Sequence, residues 1–404
     1  MHQPHRRPAA AVAAVLLLAG CTAGAKADVP DWKPQRSFQG EGHPPTIAPA
    51  QPQHPSASEP QTPGGAPSSS PDSSGSPTNT QDPAVVAKHL AAPTGLVLMP
   101  DGTALVGERT TGRIVRVQPV AGRPVPTVRT LTGLRTSGDG GLLDLALSPH
   151  YLQDALIFAY LTTAKDNRVV AFTLTGPVTP VLTGIPNGST GNAGRITFGP
   201  DGSLYVGTGD AGTPANAVNP HSLAGKVLRV TDIGEPATGN PDPSSPVFSS
   251  GHRSIAGLCA EPDTGTMLAV EDSRSGGAVN VLAPGATYGW PTSSPGDRAP
   301  LAQLPPGDSA PGGCAVADGV LYVTSLDGTL LLTASLRAKA NAISVGKFSA
   351  ELKGRYGRLR TVVSAPDGAL WMTTSNKDGR GKPVPDDERV IRIVPSGGGG
   401  NQPM

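Results

Sequence analysis

One hairpin pattern recurs along the chain and restricts its fold more than any other feature. A short apolar strand runs into a Pro-Asp-Gly turn and a second apolar strand returns: "GLVLMPDGTALVGE" from Gly95, "RITFGPDGSLYVGT" from Arg195 and "RTVVSAPDGALWMTT" from Arg360. Looser copies are "LDLALSPHYLQDALIFAY" from Leu143, "AGLCAEPDTGTMLAVE" from Ala256 and "GGCAVADGVLYVTS" from Gly312. Asp-Gly between alternating strands signals a hairpin, because glycine accepts the positive φ such turns need. Each of the six copies is followed by a further strand, such as "GRIVRV", "NRVVAFTL" or "GKVLRV". Spacings of roughly 35 to 65 residues suit propeller blades with loop insertions. A sandwich, the other all-β option, has no reason to repeat one hairpin six times. The pattern therefore predicts an all-β, six-bladed β-propeller, with "AVVAKHL" (84–90) supplying the outer strand that closes the ring against the last blade.

The flanks place this propeller at a membrane. Arg6 and Arg7 precede an apolar run from Ala9 to Leu18, the layout of an export signal and too short for a mature span. The run ends in "LAGC", which resembles a bacterial lipobox with Cys21 as the acylated residue; an ordinary cleaved signal is the other reading. From Val29 to Pro83 the chain is dominated by Pro, Ser, Gln, Gly and Thr, and Ile47 is the one large apolar side chain between Phe38 and Val85. Such a segment cannot bury enough surface to fold. It reads as a disordered tether with a random-coil reach of roughly 45 Å. The expected organisation is a lipoprotein signal (1–20), a disordered linker (21–83), the propeller (84–395) and a disordered tail (396–404), on the extracytoplasmic face of the cell membrane.

Charge and cysteine usage narrow the partners. Lys+Arg at 32 against Asp+Glu at 31 leaves a formal net charge of +1, which argues against nucleic acid, whose phosphates call for a basic face. With Cys21 given to lipid, Cys259 and Cys314 remain as an even pair in an oxidising compartment, either bonded or as two buried thiols. No zinc-type Cys/His spacing occurs, and no metal ligand is assigned from the residues.

In a propeller the innermost strands converge on the axis and ligands meet the loops at one end of it. The polar and aromatic residues at such positions are Arg195, Asp210, Arg253, Tyr288, Trp290, Arg358 and Arg360. Here the chain resembles a known family. "GDGGLLDLALSPHY", "NAGRITFGPDGSLYVGTGDAG" followed by "HSLAGKVLRV", "SSGHRSIAGL", "ATYGWP" and "GRLRTVVSAPDGALWMTTS" are similar, in the same order, to the soluble glucose/sorbosone (aldose sugar) dehydrogenases that use pyrroloquinoline quinone (PQQ). The resemblance implies a divergent lipoprotein member with six blades, PQQ and Ca²⁺ at the axis, and oxidation of an aldose to its lactone. It also implies that Arg253, Arg358, Arg360, Tyr288 and Trp290 contact the cofactor. The family's histidine base falls on Gly191 of "GNAGR", whereas Asp210, matching the acid that orients that base, is retained. Further departures are Asp139 for a glutamine, Ser254 for an asparagine, Asp327 for a lysine, and "EDSR" (271–274) for the calcium-holding "EHGP".

Three functions are consistent with these residues: a quinone-dependent sugar dehydrogenase with an altered base, a non-catalytic envelope module that binds a glycan or small polar ligand, and a calcium-dependent lactone hydrolase using Asp139, Asp210 and Asp327. Activity is expected to be weak or lost. His221 and Asp139 are conceivable replacements for the base, though neither lies at a supporting spacing.

Overall fold

The computed structural model of the chain describes residues 82–395 apart from 274–275, 308–309 and 340–341. The signal, Cys21, almost all of the linker and the tail therefore lie outside the described residues. The rest forms six sheets, each a four-stranded antiparallel blade at its centre, with one extra short strand on the fifth. The innermost strands are Pro93–Leu98, Leu142–Leu147, Ala193–Phe198, Ser254–Ala260, Pro311–Ala317 and Leu359–Ser364. In the sixth blade the outermost strand is Val85–Ala87, paired antiparallel with Val390–Ile393, so the beginning of the domain closes the ring as expected.

The repeated turn has one geometry in its three clear copies. Asp101, Asp201 and Asp367 each accept, through Oδ1, the backbone N–H two residues on, at 3.0, 3.1 and 3.1 Å. The following glycines, Gly102, Gly202 and Gly368, sit at φ 79°, 74° and 78°, where a side chain would be strained. The hairpins thus form from local chemistry, and their apolar strands then pack blade against blade. Between the second and third blades this packing unites Leu143, Phe158, Tyr160, Ile196, Leu204 and Val206, all buried.

Near the axis the inner strands crowd. A Cβ on Gly95 would lie 2.7 Å from the Leu145 nitrogen, and one on Gly257 would lie 2.6 Å from that of Cys314. Beside this contact Cys259 and Cys314 form a disulfide, which joins the inner strands of the fourth and fifth blades and resolves the choice the sequence left open.

Candidate functional site

Arg195 stands at the centre of the ring. From the third inner strand its Nε donates to Ala256 O (2.6 Å), its Nη2 to Gly312 O (2.5 Å) and its Nη1 to Thr361 Oγ1 (3.1 Å), while Asp144 Oδ1 lies 3.6 Å away. Thr361 in turn donates to Thr94 O, so one guanidinium and one hydroxyl tie all six inner strands together. Burial pushes Asp144 up to about 6, with Arg195 and the N–H groups of Ile196 and Leu145 opposing it. On the turn side of this plug lies a cavity of about 330 Å³ walled by Leu96–Leu98, Asp144–Leu147 and Thr361–Ser364. On the other side, at the N-terminal ends of the inner strands, gather most of the residues singled out from the sequence.

Asp210 follows the second strand of the third blade. Its Oδ1 accepts the Gly212 N–H at 2.8 Å and its Oδ2 accepts the Trp290 indole N–H at 3.0 Å. Gly191 lies against it at φ 71°, and a Cβ built there would sit 2.6 Å from Asp210 Oδ1 and 2.8 Å from the Gly212 nitrogen. The neighbouring Asn192 locks this loop: Asn167 Nδ2 and the Gly188 N–H donate to its Oδ1, at 3.0 and 2.9 Å, and its Nδ2 donates to Asp139. Asp210 thus has two donors, neither of them an imidazole. His89, His150 and His221 are exposed, and His252 is enclosed, its Nε2 2.9 Å from Ser249 Oγ and its Nδ1 3.3 Å from Glu271.

The arginines of the site fall into two groups. Arg253 stacks on the Trp290 ring at 5.2 Å and donates to Asp272 at 2.9 Å. Arg358 donates from Nη1 to Asp327 at 2.7 Å and from Nε to Asp378 at 3.0 Å. These outer arginines are neutralised by the chain itself. Burial raises Asp272, Arg253 opposes, and Asp327 and Glu271 add repulsion. Asp378 is held low against its burial by the Arg380 N–H and by Arg358 and Arg360.

Arg360 differs. Among the described residues its side chain makes one hydrogen bond, Nε to Ser375 Oγ at 3.2 Å, and no carboxylate pairs with it. Burial pulls its guanidinium down to about 10, Arg195, Arg109 and Arg358 push the same way, and Asp378 opposes them. Arg109, the one of these without a place in the sequence reading, donates to Gly138 O and Gly140 O at 3.1 and 2.9 Å.

Tyr288 is anchored in the fourth blade beside Trp290. Its ring stacks on His252 at 4.5 Å and its hydroxyl donates to Val281 O at 2.6 Å, commitments that tie it into the fourth blade. With Trp290, Arg253, Glu271 and Asn280 it lines a separate cavity of about 270 Å³ under the 289–300 loop.

Residues 90–383 match the family model described as Glucose / Sorbosone dehydrogenase. The chain belongs to that family. The PQQ-bound aldose sugar dehydrogenase of Streptomyces coelicolor is 40% identical, with a TM-score of 0.71 over 76% of this chain and 95% of that one. A structure described as a putative oxidoreductase (glucose dehydrogenase), from Thermus thermophilus, is 39% identical with a TM-score of 0.71, over 76% of this chain and 98% of that one. Quinoprotein glucose dehydrogenase B of Acinetobacter calcoaceticus is 29% identical over 251 residues, 52% of each chain, so the alignment spans about half of that curated relative. The six-bladed glucose/sorbosone dehydrogenase fold is therefore the frame in which Asp210, Arg253, Trp290, Arg358 and Arg360 come together.

Proposed function

We propose that this glucose/sorbosone dehydrogenase-family propeller is a lipid-anchored, extracytoplasmic module that binds a sugar at the Trp290 side of its axis and has lost efficient sugar oxidation. The observation that carries the reading is the closure of Gly191 onto Asp210. An alcohol gives up hydride readily only as its hydroxyl proton leaves, and a positioned base contributes about 10²- to 10⁴-fold. The position where the family resemblance puts that base has no side chain, and the space a Cβ would take is filled by Asp210 Oδ1. What remains is a binding surface: an indole face backed by a guanidinium, with carboxylates and backbone N–H groups around it, able to meet the C–H face and hydroxyls of a sugar ring.

The quinone named with the Streptomyces relative suits this chain poorly. PQQ is a planar tricarboxylate, and two arginines that would receive it already hold Asp272, Asp327 and Asp378.

The reading is tested by supplying the whole chain with PQQ, Ca²⁺, an electron-accepting dye and a panel of aldoses, beside the Acinetobacter enzyme. Dye reduction at least 100-fold slower, together with calorimetric binding of a sugar, is expected. A rate within tenfold would overturn it. The anchor is tested separately: Cys21→Ser should release the chain from the membrane fraction, and retention there would remove the lipid from the reading.

A further inference from the structure

The cavity under the 289–300 loop contains a polar atom that the fold leaves unused. Glu271 and Asn280 stand on one face of the fourth blade, since Glu271 pairs with Ala278 and Asn280 with Ala269 across the same two strands. Both side chains line the cavity, and both residues are buried, at 2% exposure. Asn280 Nδ2 donates to Glu271 Oε1 at 2.5 Å, which turns the amide oxygen away from the carboxylate. That Oδ1 has no hydrogen-bond partner among the described residues. Glu271 receives Asn280 and the His252 Nδ1, the latter at 3.3 Å from each of its oxygens. The buried end of the cavity therefore presents acceptors, one of them wholly open, and a buried acceptor without a donor is costly.

Water is the ordinary answer to that cost, but the space is larger than the need. At about 270 Å³ the cavity is several times the roughly 30 Å³ that one water takes up in the liquid. Its roof is built by the chain alone. Asp297 accepts from Thr287 Oγ1 and from the Ser294 N–H, the Arg298 N–H donates to Thr287 O at 2.7 Å, and the Leu301 N–H donates to Val279 O at 2.8 Å. Ala278, opposite Glu271, contributes only a methyl group to the floor. Trp290 and Arg253 wall the same space, so it adjoins the surface already proposed for a sugar.

Resting on the sugar-binding reading above, we infer that the sugar seats its ring in this cavity, with neighbouring hydroxyls donating to Asn280 Oδ1 and to Glu271. A polyol suits this floor because each hydroxyl brings a donor, and adjacent ring hydroxyls match two acceptors that one amide joins. A ligand that offers acceptors alone would leave Asn280 Oδ1 unpaired.

Calorimetry on the whole chain with glucose, galactose and mannose selects the tightest, and the monodeoxy forms of that sugar then test the inference. At least one of them should bind tenfold or more weakly than its parent, because the acceptor it faces loses its donor. Asn280→Leu should weaken the parent sugar at least tenfold in a chain that still unfolds cooperatively in urea. Ala278→Leu, which fills the cavity and removes no polar group, should do the same. Amide exchange on the unaltered chain keeps the test open if both variants fail to fold: the sugar should slow exchange at Ser294, Asp297 and Arg298 and leave residues 189–192 unchanged. Sugar binding indifferent to both variants, or protection of 189–192 without the 294–298 amides, would overturn the inference and leave the sugar-binding reading standing. Binding of none of the three sugars would overturn both.

Discussion

Gly191 and Asp144 show how single positions set the behaviour of the site. Restoring a histidine at 191 is the obvious repair, and the geometry predicts that it fails. A residue with a Cβ at φ 71° is strained by about 1–2 kcal/mol, and its Cβ would also displace Asp210 Oδ1 from 2.6 Å away. Gly191→His should therefore lower the thermal midpoint and leave dye reduction at background; a stable variant with new turnover would contradict the packing described. Asp144 gives a pH dependence with a definite sign. Its carboxyl titrates at about 6 when folded, against 3.8 for the ordinary group, because burial disfavours the charge. Between those values the folded chain holds more protons than the unfolded one. Its contribution to stability is thus present below pH about 4 and lost as the pH rises through 6, a span of about 3 kcal/mol at about 1.4 kcal/mol per unit. Asp144→Asn keeps an acceptor for the Ile196 N–H but has no such slope. Its midpoint relative to the parent chain should rise between pH 4 and 7, and a constant difference in urea titrations across that range would refute the assignment.

Among the elements, what could be read from sequence was whatever is local. The Pro-Asp-Gly hairpins were legible because the Asp side chain and the positive-φ glycine act within four residues, and each clear copy repeats the same Asx bond. The convergence of Asp210, Arg253 and Trp290 was legible in part: Asp210 and Arg253 lie beside the ends of Leu204–Thr208 and Ser254–Ala260, whereas Trp290 comes from the loop between Gly276–Val281 and Ala302–Gln303. The carboxylates on the arginines were not: Asp378 lies 20 residues from Arg358, in a loop with no repeat to mark it. The anchoring of Tyr288 to Val281 O and against His252 was not legible either, because nothing in Tyr288-Gly289-Trp290 marks those partners. Lys226 carried no signal at all, yet its buried ammonium donates to the carbonyl oxygens of Asn216, Ala217 and Ala224 at 2.7, 3.0 and 3.0 Å. It folds the loop that leaves Asp210 back onto its own blade. Lys226→Met would leave Ala224 O without a donor, at about 1–3 kcal/mol if it stays buried, and would leave Asn216 O and Ala217 O to the N–H groups of Asn219 and Gly251. The expected result is a destabilised domain with faster amide exchange confined to residues 210–225, and exchange no faster there than in the parent chain would show that the cage holds nothing in place.

Each blade keeps its own outer edge, so the ring is held by the contacts between and within blades, and two of these links stand out. One is covalent: the Cys259–Cys314 bond spans 55 residues and joins neighbouring inner strands. In the chain-entropy account a loop of that length stabilises by about 4 kcal/mol. The other is the pairing of Val85–Ala87 with Val390–Ile393, which buries Val85 and Val86 to 5% and 3% exposure. Asp82 reinforces it by accepting from the Tyr356 hydroxyl at 3.0 Å and from Arg355 at 3.1 Å. Two buried valines at about 1.5–3 kcal/mol each place the closing strand on the same scale as the disulfide. The two act at different places, one between the fourth and fifth blades and one within the sixth, so their losses should add. Chains beginning at residue 76 and at residue 90, each with Cys259 and Cys314 intact or both changed to serine, form the test by urea unfolding. Each single loss should lower the unfolding free energy by about 3–6 kcal/mol, and the double loss should remove the cooperative transition or nearly so. If the chain beginning at 90 unfolds at the same urea concentration as the longer one, the first strand does not close the ring and the sixth blade is stable with three strands.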